Sequence, residues 1–278
     1  MPHIKRQHYV PRFYLAGFTH GNNEQLYVLD KKNKKIFKKN IFEICEKNHF
    51  YSFYEQNGEY NFMIEEQLGK MEEKFSYIFR KLTDNIERYY YKKDKEFNKI
   101  TYDDKKLILE FIFYQIIRVP KYFDKLISMI IPQYRQFNKD DGVEQTEKKL
   151  INDIKKYTFQ NYFNKSKEVV SILSKKNWIF FILAEKLNTS FISSDNPVII
   201  TNSDKQSPIR GALIDPMTEI SFPISKNIAI ALKEKTVAYK YNYQLVDKTD
   251  YVKYINKLLL NNAYKFVYSN EKYLLELN

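Results

Sequence analysis

Apolar side chains recur at Ile64, Leu68, Met71, Phe75, Ile78, Leu82 and Ile86, at alternating steps of four and three residues. That spacing keeps them on one side of a 3.6-residue turn and predicts an amphipathic helix with a single buried seam. Most of the stability of such a helix comes from packing its seam, so the neighbouring chain has to cover it. The best cover is the run Leu107 to Val119, nearly all apolar, which reads as a central helix. Thr101 can cap its start through the amides of Asp103 or Asp104, and Pro120 interrupts or kinks its end. Phe123, Leu126, Ile127, Ile130 and Tyr134 continue a helical stripe, and the lysine-rich stretch 139–177 reads as more helix, bounded by a turn at Asp140-Asp141-Gly142.

The period changes on both sides of this block. Leu26 to Leu29, Ile36 to Phe37 and Phe50 to Phe53 read as a small N-terminal sheet. After Trp178, strand-like runs follow at Ile179–Leu183, Phe191–Ser193, Val198–Thr201, Glu219–Phe222, Ile228–Leu232 and Tyr264–Tyr268, with one helix at Thr249–Asn261. Strands, then helices, then strands give an α+β fold: N-terminal strands over 1–60, a helical bundle over 61–177, and an antiparallel or mixed sheet with one helix over 178–278, packed as one domain. A chain of 278 residues can bury such a core without disulfide or metal staples.

Several function classes drop out. Six glycines (17, 21, 58, 69, 142 and 211) leave no GxGxxG and no GxxxxGK[ST], so the phosphate-cradling loops of common nucleotide enzymes are missing. No GxSxG, HExxH or paired-cysteine motif occurs. The lone Cys45, next to Ile44, reads as a small buried hydrophobe in a reducing compartment. Met1 to Tyr14 has no apolar core of a signal peptide, and no stretch approaches the roughly 20 apolar residues that span a bilayer. A cytoplasmic protein without a membrane partner is expected. The net charge of +12 points to nucleic acid as a partner. Only seven of the 46 basic residues are arginine, however, and the wealth of Lys, Asn, Ile, Tyr and Phe is also what an AT-rich coding sequence produces.

The chemistry-bearing candidates are few. All four histidines lie in the first fifty residues, and His8 opens His8-Tyr9-Val10-Pro11-Arg12, where Pro11 stiffens the backbone that carries His8 and Arg12. His8 is a candidate general base or metal ligand and Arg12 a candidate anion clamp. HxxP also opens the catalytic segment of some HNH nucleases, but no Asn and His follow at the matching spacing. Glu65 and Glu72, seven residues apart, share one flank of the seam helix and could hold a divalent cation or a proton; a solvated shoulder balanced by Lys70 and Lys74 explains them equally. In the central helix Glu110, Gln115 and Arg118 fall within roughly 140° of arc. A buried Arg118 requires a carboxylate, carbonyls or an anionic ligand, and an ion pair with Glu65 or Glu72 is the structural alternative. Asp195 and Asn196, before Pro197, suit a tight turn bonded to nearby amides, or a metal ligand or base at a strand end.

Taken together, His8-Tyr9-Val10-Pro11-Arg12-Phe13-Tyr14-Leu15 with Phe18, Ile64-Glu65 and Glu72, Gln115-Ile116-Ile117-Arg118-Val119-Pro120, Phe191-Ile192-Ser193-Ser194-Asp195-Asn196-Pro197-Val198 and Phe222-Pro223-Ile224-Ser225 resemble the bacterial DUF4238 family. The resemblance spans most of the chain and is most specific at HYVP and SDNP. The family is one of unknown function; the resemblance implies a link to bacterial defence or toxin-like systems and a single site containing these polar residues. Two readings follow. In the first, the chain is a phosphodiester-directed hydrolase, a nuclease-like effector: His8, Glu65, Glu72 and Asp195 supply base, proton transfer or ligands for Mg²⁺ or Mn²⁺, and Arg12, Gln115, Arg118 and Asn196 bind substrate. In the second it is a non-catalytic ligand-sensing or protein-binding module whose polar residues fix the fold. Convergence of His8, Glu65, Arg118 and Asp195 in space is expected if they mark one site.

Overall fold

The computed structural model describes residues 5–21, 23–55, 57–93, 100–137, 143–201, 213, 215–234 and 243–276. The expected turn at Asp140-Asp141-Gly142 lies outside them. Helix α2 (Met63–Tyr90) buries Ile64, Leu68, Phe75, Ile78, Leu82 and Ile86, the seam read from sequence, with Met71 at its margin. Helix α3 (Tyr102–Ile117) starts in a capping box: the Thr101 hydroxyl accepts from the Asp104 amide at 3.1 Å, and the Asp104 carboxylate accepts from the Thr101 amide at 2.9 Å. Lys81 of α2 donates to the same carboxylate at 2.9 Å and joins the two helices. From Ile108 to Ile117 every side chain of α3 except that of Glu110 is buried, as a helix enclosed on all sides requires. The chain turns at Arg118-Val119, and α4 (Pro120–Phe137) begins on the proline, whose missing N–H costs nothing in a first turn. Helix α5 (Val143–Leu173) packs against α3 and α4.

The C-terminal portion builds a five-stranded sheet in the order β12 (Tyr243–Val246), β7 (Asn177–Leu183), β11 (Ile228–Lys233), β10 (Glu219–Pro223) and β9 (Ile199–Thr201). It is mixed: β12 runs parallel to β7 and the other pairs are antiparallel. The N-terminal strands differ from expectation in two respects. The Phe50–Phe53 stretch does not join them: only its Phe53 is in a strand, and that strand pairs in a separate ribbon. The hairpin β2 (Gln25–Asp30) and β3 (Lys35–Asn40) does not stand alone but lies in a four-stranded sheet, β3-β2-β13-β8, with β13 (Phe266–Ser269) and β8 (Ser193–Ser194). An isolated hairpin is marginal in water, and Leu26 and Val28 bury their face only once β13 covers the edge of β2. Two small ribbons remain: β1 (Arg6–His8) with β4 (Glu46–Asn48), and β5 (Phe53–Tyr54) with β6 (Tyr60–Asn61). Helix α6 (Thr249–Asn262) precedes β13.

Buried apolar residues from all three stretches form one contiguous cluster. At its centre Tyr14 stacks on Phe222 with ring centroids 5.1 Å apart, and Phe79 meets Phe111 at 4.7 Å, so the short helix α1 (Arg12–Ala16) is wedged between α2, α3 and β10. The Tyr14 hydroxyl donates to the Pro223 carbonyl at 2.8 Å and accepts from Ser193 at 3.2 Å. Gly17 ends α1 against the β10–β11 turn: a Cβ there would lie 3.0 Å from the Ile224 carbonyl oxygen. The N-terminal segment is thus an internal strut. Cys45 is buried as expected, its thiol donating to the Tyr268 hydroxyl at 3.1 Å, and burial pushes that thiol well above its ordinary pKa.

Candidate functional site

Arg118 caps the C-terminus of α3, where Pro120 forces the helix to stop, and only 2% of it is exposed. Its Nη2 donates to Glu72 Oε1 and to the His8 carbonyl, both at 2.7 Å, and its Nε donates to the Tyr51 hydroxyl at 3.1 Å. That hydroxyl donates in turn to the Arg118 carbonyl at 3.0 Å. Burial opposes the charge on Arg118, but Tyr51 and Glu72 more than offset it, so the guanidinium stays firmly ionised. Of the two carboxylates on the α2 flank, Glu72 is therefore the ion-pair partner. Glu65 is left half-buried beside the pair: burial, aided by the charge of Glu72 and opposed by Arg118, raises its carboxyl to about 7.

His8 offers its carbonyl to this cluster while its ring faces elsewhere. Burial, then the charge of Arg12, lowers the imidazole to about 4, against a hydrogen bond to the Phe42 backbone, so it is neutral at pH 7. Its Nε2 is buried without a hydrogen-bond partner among the described residues. Arg12 is exposed, with its guanidinium 4.7 Å from the Phe42 ring centroid. Gln115 donates through Nε2 to the Tyr9 carbonyl at 3.0 Å, and its buried Oε1 has no partner among the described residues. Two carbonyls of the HYVP segment, those of His8 and Tyr9, are thereby fastened to Arg118 and Gln115 at the end of α3.

Asp195 sits in a different set of contacts. Its Oδ1 accepts from the Tyr264 amide at 2.7 Å, and its Oδ2 from the amides of Lys265 at 2.7 Å and Phe266 at 3.0 Å. The expected turn with nearby amides is corrected here: the amides that satisfy Asp195 belong to the entry of β13, remote in sequence. Burial raises its carboxyl while those three amides hold it down. Asn196 Nδ2 donates to the Asn262 carbonyl at 3.0 Å, and Asn262 Nδ2 returns bonds to the carbonyls of Asn196 and Val198, both at 2.8 Å. The two sets approach at Tyr9, whose carbonyl accepts from Gln115 and whose phenol is raised by burial, then by the charges of Cys45 and Asp195. Among the described residues no group of three or more His, Cys, Asp or Glu side chains could hold a metal ion. Glu65, Glu72 and Asp195 do not make such a group: Arg118 occupies Glu72, and the β13 amides occupy Asp195.

The family described as "Protein of unknown function (DUF4238)" matches residues 6–273. The chain belongs to the DUF4238 family. No curated protein and no solved structure matches it. In this DUF4238 chain three residues complete the polar network without having been singled out in the sequence. Tyr51 lay within a stretch read only as strand. Gln7 donates to Ser52 Oγ at 2.9 Å and accepts from the Tyr51 amide at 2.7 Å. Asn256, on the apolar face of α6 between Val252 and Leu259, accepts from the Ile192 amide at 3.1 Å and donates to the Ser190 carbonyl at 2.9 Å; that lone polar residue among buried ones was the available signal.

Proposed function

We propose that this DUF4238 chain is a non-catalytic binding module in which the motif residues form a polar frame. One observation carries this reading: the hydrogen-bonding groups of Arg118, Asp195 and Asn196 are directed at the protein's own backbone and at Glu72 and Tyr51. A side chain engaged in this way is held by the fold and keeps few lone pairs or N–H groups for a substrate, and removing it strands buried partners. The frame ties the segment around His8 and Tyr9 to α2 and α3, and the segment after β8 to the entry of β13, holding the loops between them in fixed spacing, as ligand recognition requires. The test is the stability of Arg118→Ala and Asp195→Asn in denaturant. A frame predicts large losses in both; variants as stable as the parent would overturn it.

A second reading, a phosphodiester-directed hydrolase, is favoured by two groups the frame does not use. The unpartnered Nε2 of neutral His8 can accept a proton, and Glu65, raised to about 7, can give one, with exposed Arg12 as a phosphate clamp. Divalent-cation assistance would rest on Glu65, with Glu72 available only by giving up Arg118. Incubating the protein with DNA and RNA in Mg²⁺, Mn²⁺ or EDTA decides it. Cleavage that His8→Ala abolishes supports the hydrolase; no cleavage under any condition removes it.

A further inference from the structure

The ribbon β5–β6 and the face of α5 beside it are not used by the frame. Tyr54 and Tyr60 project from neighbouring strands with ring centroids 4.3 Å apart, joined through their hydroxyls, and remain 53% and 37% exposed. His49 extends the ladder, stacked on Tyr60 at 4.2 Å with rings 7° from parallel. Two tyrosine rings on this exposed ribbon thus lie against each other, with half-buried His49 backing Tyr60 from after β4. Asn152 of α5 fixes the end of that ladder as a strand would: its Oδ1 accepts from the Tyr54 amide at 2.6 Å and its Nδ2 donates to the Tyr54 carbonyl at 2.9 Å.

Tyr54 also forms one wall of a cleft of about 1100 Å³. Lys148, Lys149 and Lys156 of α5 line it, together with Glu55 and Asp153. Glu55 is already engaged by the Asn61 amide group at 2.7 Å. One residue back along α5, Lys155 lies over the Phe50 ring at 5.9 Å, and Lys47 lies over the same ring at 5.4 Å. Burial, then the charge of Lys47, holds the Lys155 ammonium below its ordinary pKa.

We propose that the outer face of Tyr54 and the lysine-lined cleft bind single-stranded nucleic acid, with a base stacking on the Tyr54 ring and phosphates meeting Lys149 and Lys156. Exposed ring faces beside flexible cations are the two components of sequence-tolerant single-strand recognition. A duplex hides its base faces and cannot use this ring. This assignment rests on the binding-module reading and names its ligand.

The experiment uses the full chain and a fluorescently labelled twelve-nucleotide oligo-dT, with anisotropy read across a salt series and the product resolved on a gel. Tyr54→Ala is expected to weaken binding about tenfold, within the range found for loss of one base stack, and Tyr54→Phe to restore it. Lys149→Ala with Lys156→Ala should weaken binding and flatten its salt dependence, whereas Lys253→Ala with Lys257→Ala, equal in charge but on the exposed face of α6, should leave it unchanged. Unaltered binding by folded Tyr54→Ala, equal losses in the two lysine pairs, or equally tight binding of a duplex would each overturn the site. Cleavage of the bound oligonucleotide would instead overturn the non-catalytic reading while supporting the ligand.

Discussion

Arg118 and Asp195 are both buried charges, and they are accommodated in opposite ways. Asp195 is stabilised by hydrogen bonds from three backbone amides at the entry of β13, groups that carry no net charge and do not titrate. Arg118 is neutralised by a carboxylate, a phenol and a carbonyl from three elements, with the ionisable Glu65 and His8 close by. The difference teaches that the hydrogen-bond partners of Asp195 are indifferent to pH, whereas the Arg118 cluster has titratable neighbours in Glu65 and His8. The Asp195 cluster is a fixed joint; the Arg118 cluster is a joint with titratable neighbours.

Replacing Asp195 by alanine should have the largest effect. It leaves three amides without an acceptor, and at about 1–3 kcal/mol for each stranded group a loss on the order of 5 kcal/mol is expected in urea unfolding. A loss below about 1 kcal/mol would show that water replaces the carboxylate and that the joint is not closed. Arg118→Ala follows, at about 3 kcal/mol, because Glu72 is partly exposed and can meet solvent when abandoned. Pairing it with Glu72→Gln in a double-mutant cycle should give strong coupling; additive effects would remove Glu72 from the joint.

The contrast sharpens with pH. Glu65, raised to about 7, keeps its proton when folded after the unfolded chain has released it. Its contribution therefore makes stability fall as pH rises from about 4.5, the ordinary carboxyl value, to about 7, by on the order of 2 kcal/mol. His8, lowered to about 4, resists the proton that the unfolded chain takes up below about 6.5, so its contribution makes stability rise over pH 4 to 6.5. The two slopes oppose each other across a shared window. Glu65→Gln should uncover a stability that climbs between pH 4 and 6.5, and His8→Gln one that declines between pH 4.5 and 7. Identical profiles for the two variants would dismiss both assignments. The smallest effect is expected at Arg12→Ala, below about 0.5 kcal/mol, since an exposed guanidinium over Phe42 does little for folding. A large loss there would draw Arg12 into the frame.

What could be read from sequence follows the range of the interactions. The α2 seam, the Thr101 cap and the break at Pro120 depend on residues a few positions apart, and each was legible. A buried Arg118 demanded a carboxylate, and the α2 flank offered only Glu65 or Glu72; choosing between them required the pitch of α2 against α3. The role of Asp195 was not legible, because its partners are amides, which every non-proline residue has. The pairing of β2 with β13 was hidden for the same reason: a ladder is written in backbone groups, and the side chains of Val28 and Tyr268 say only that each strand has a buried face. Tyr54 and Tyr60 were lost among abundant tyrosines until their strands brought the rings together.

The union of β2 with β13 also has a consequence in time. During synthesis on a ribosome, Gln25 to Asp30 leave the exit tunnel long before Phe266 is translated. At about 5–20 residues per second the inner edge of β2 waits on the order of ten to fifty seconds for its partner. The other side of the hairpin is already guarded, since β3 carries Lys35, Lys38 and Lys39, charges that discourage a second chain from docking. The waiting edge carries no lysine, so a nascent chain stalled before β13 offers an open strand to whatever is nearby until a strand made much later closes the sheet that the hairpin opens.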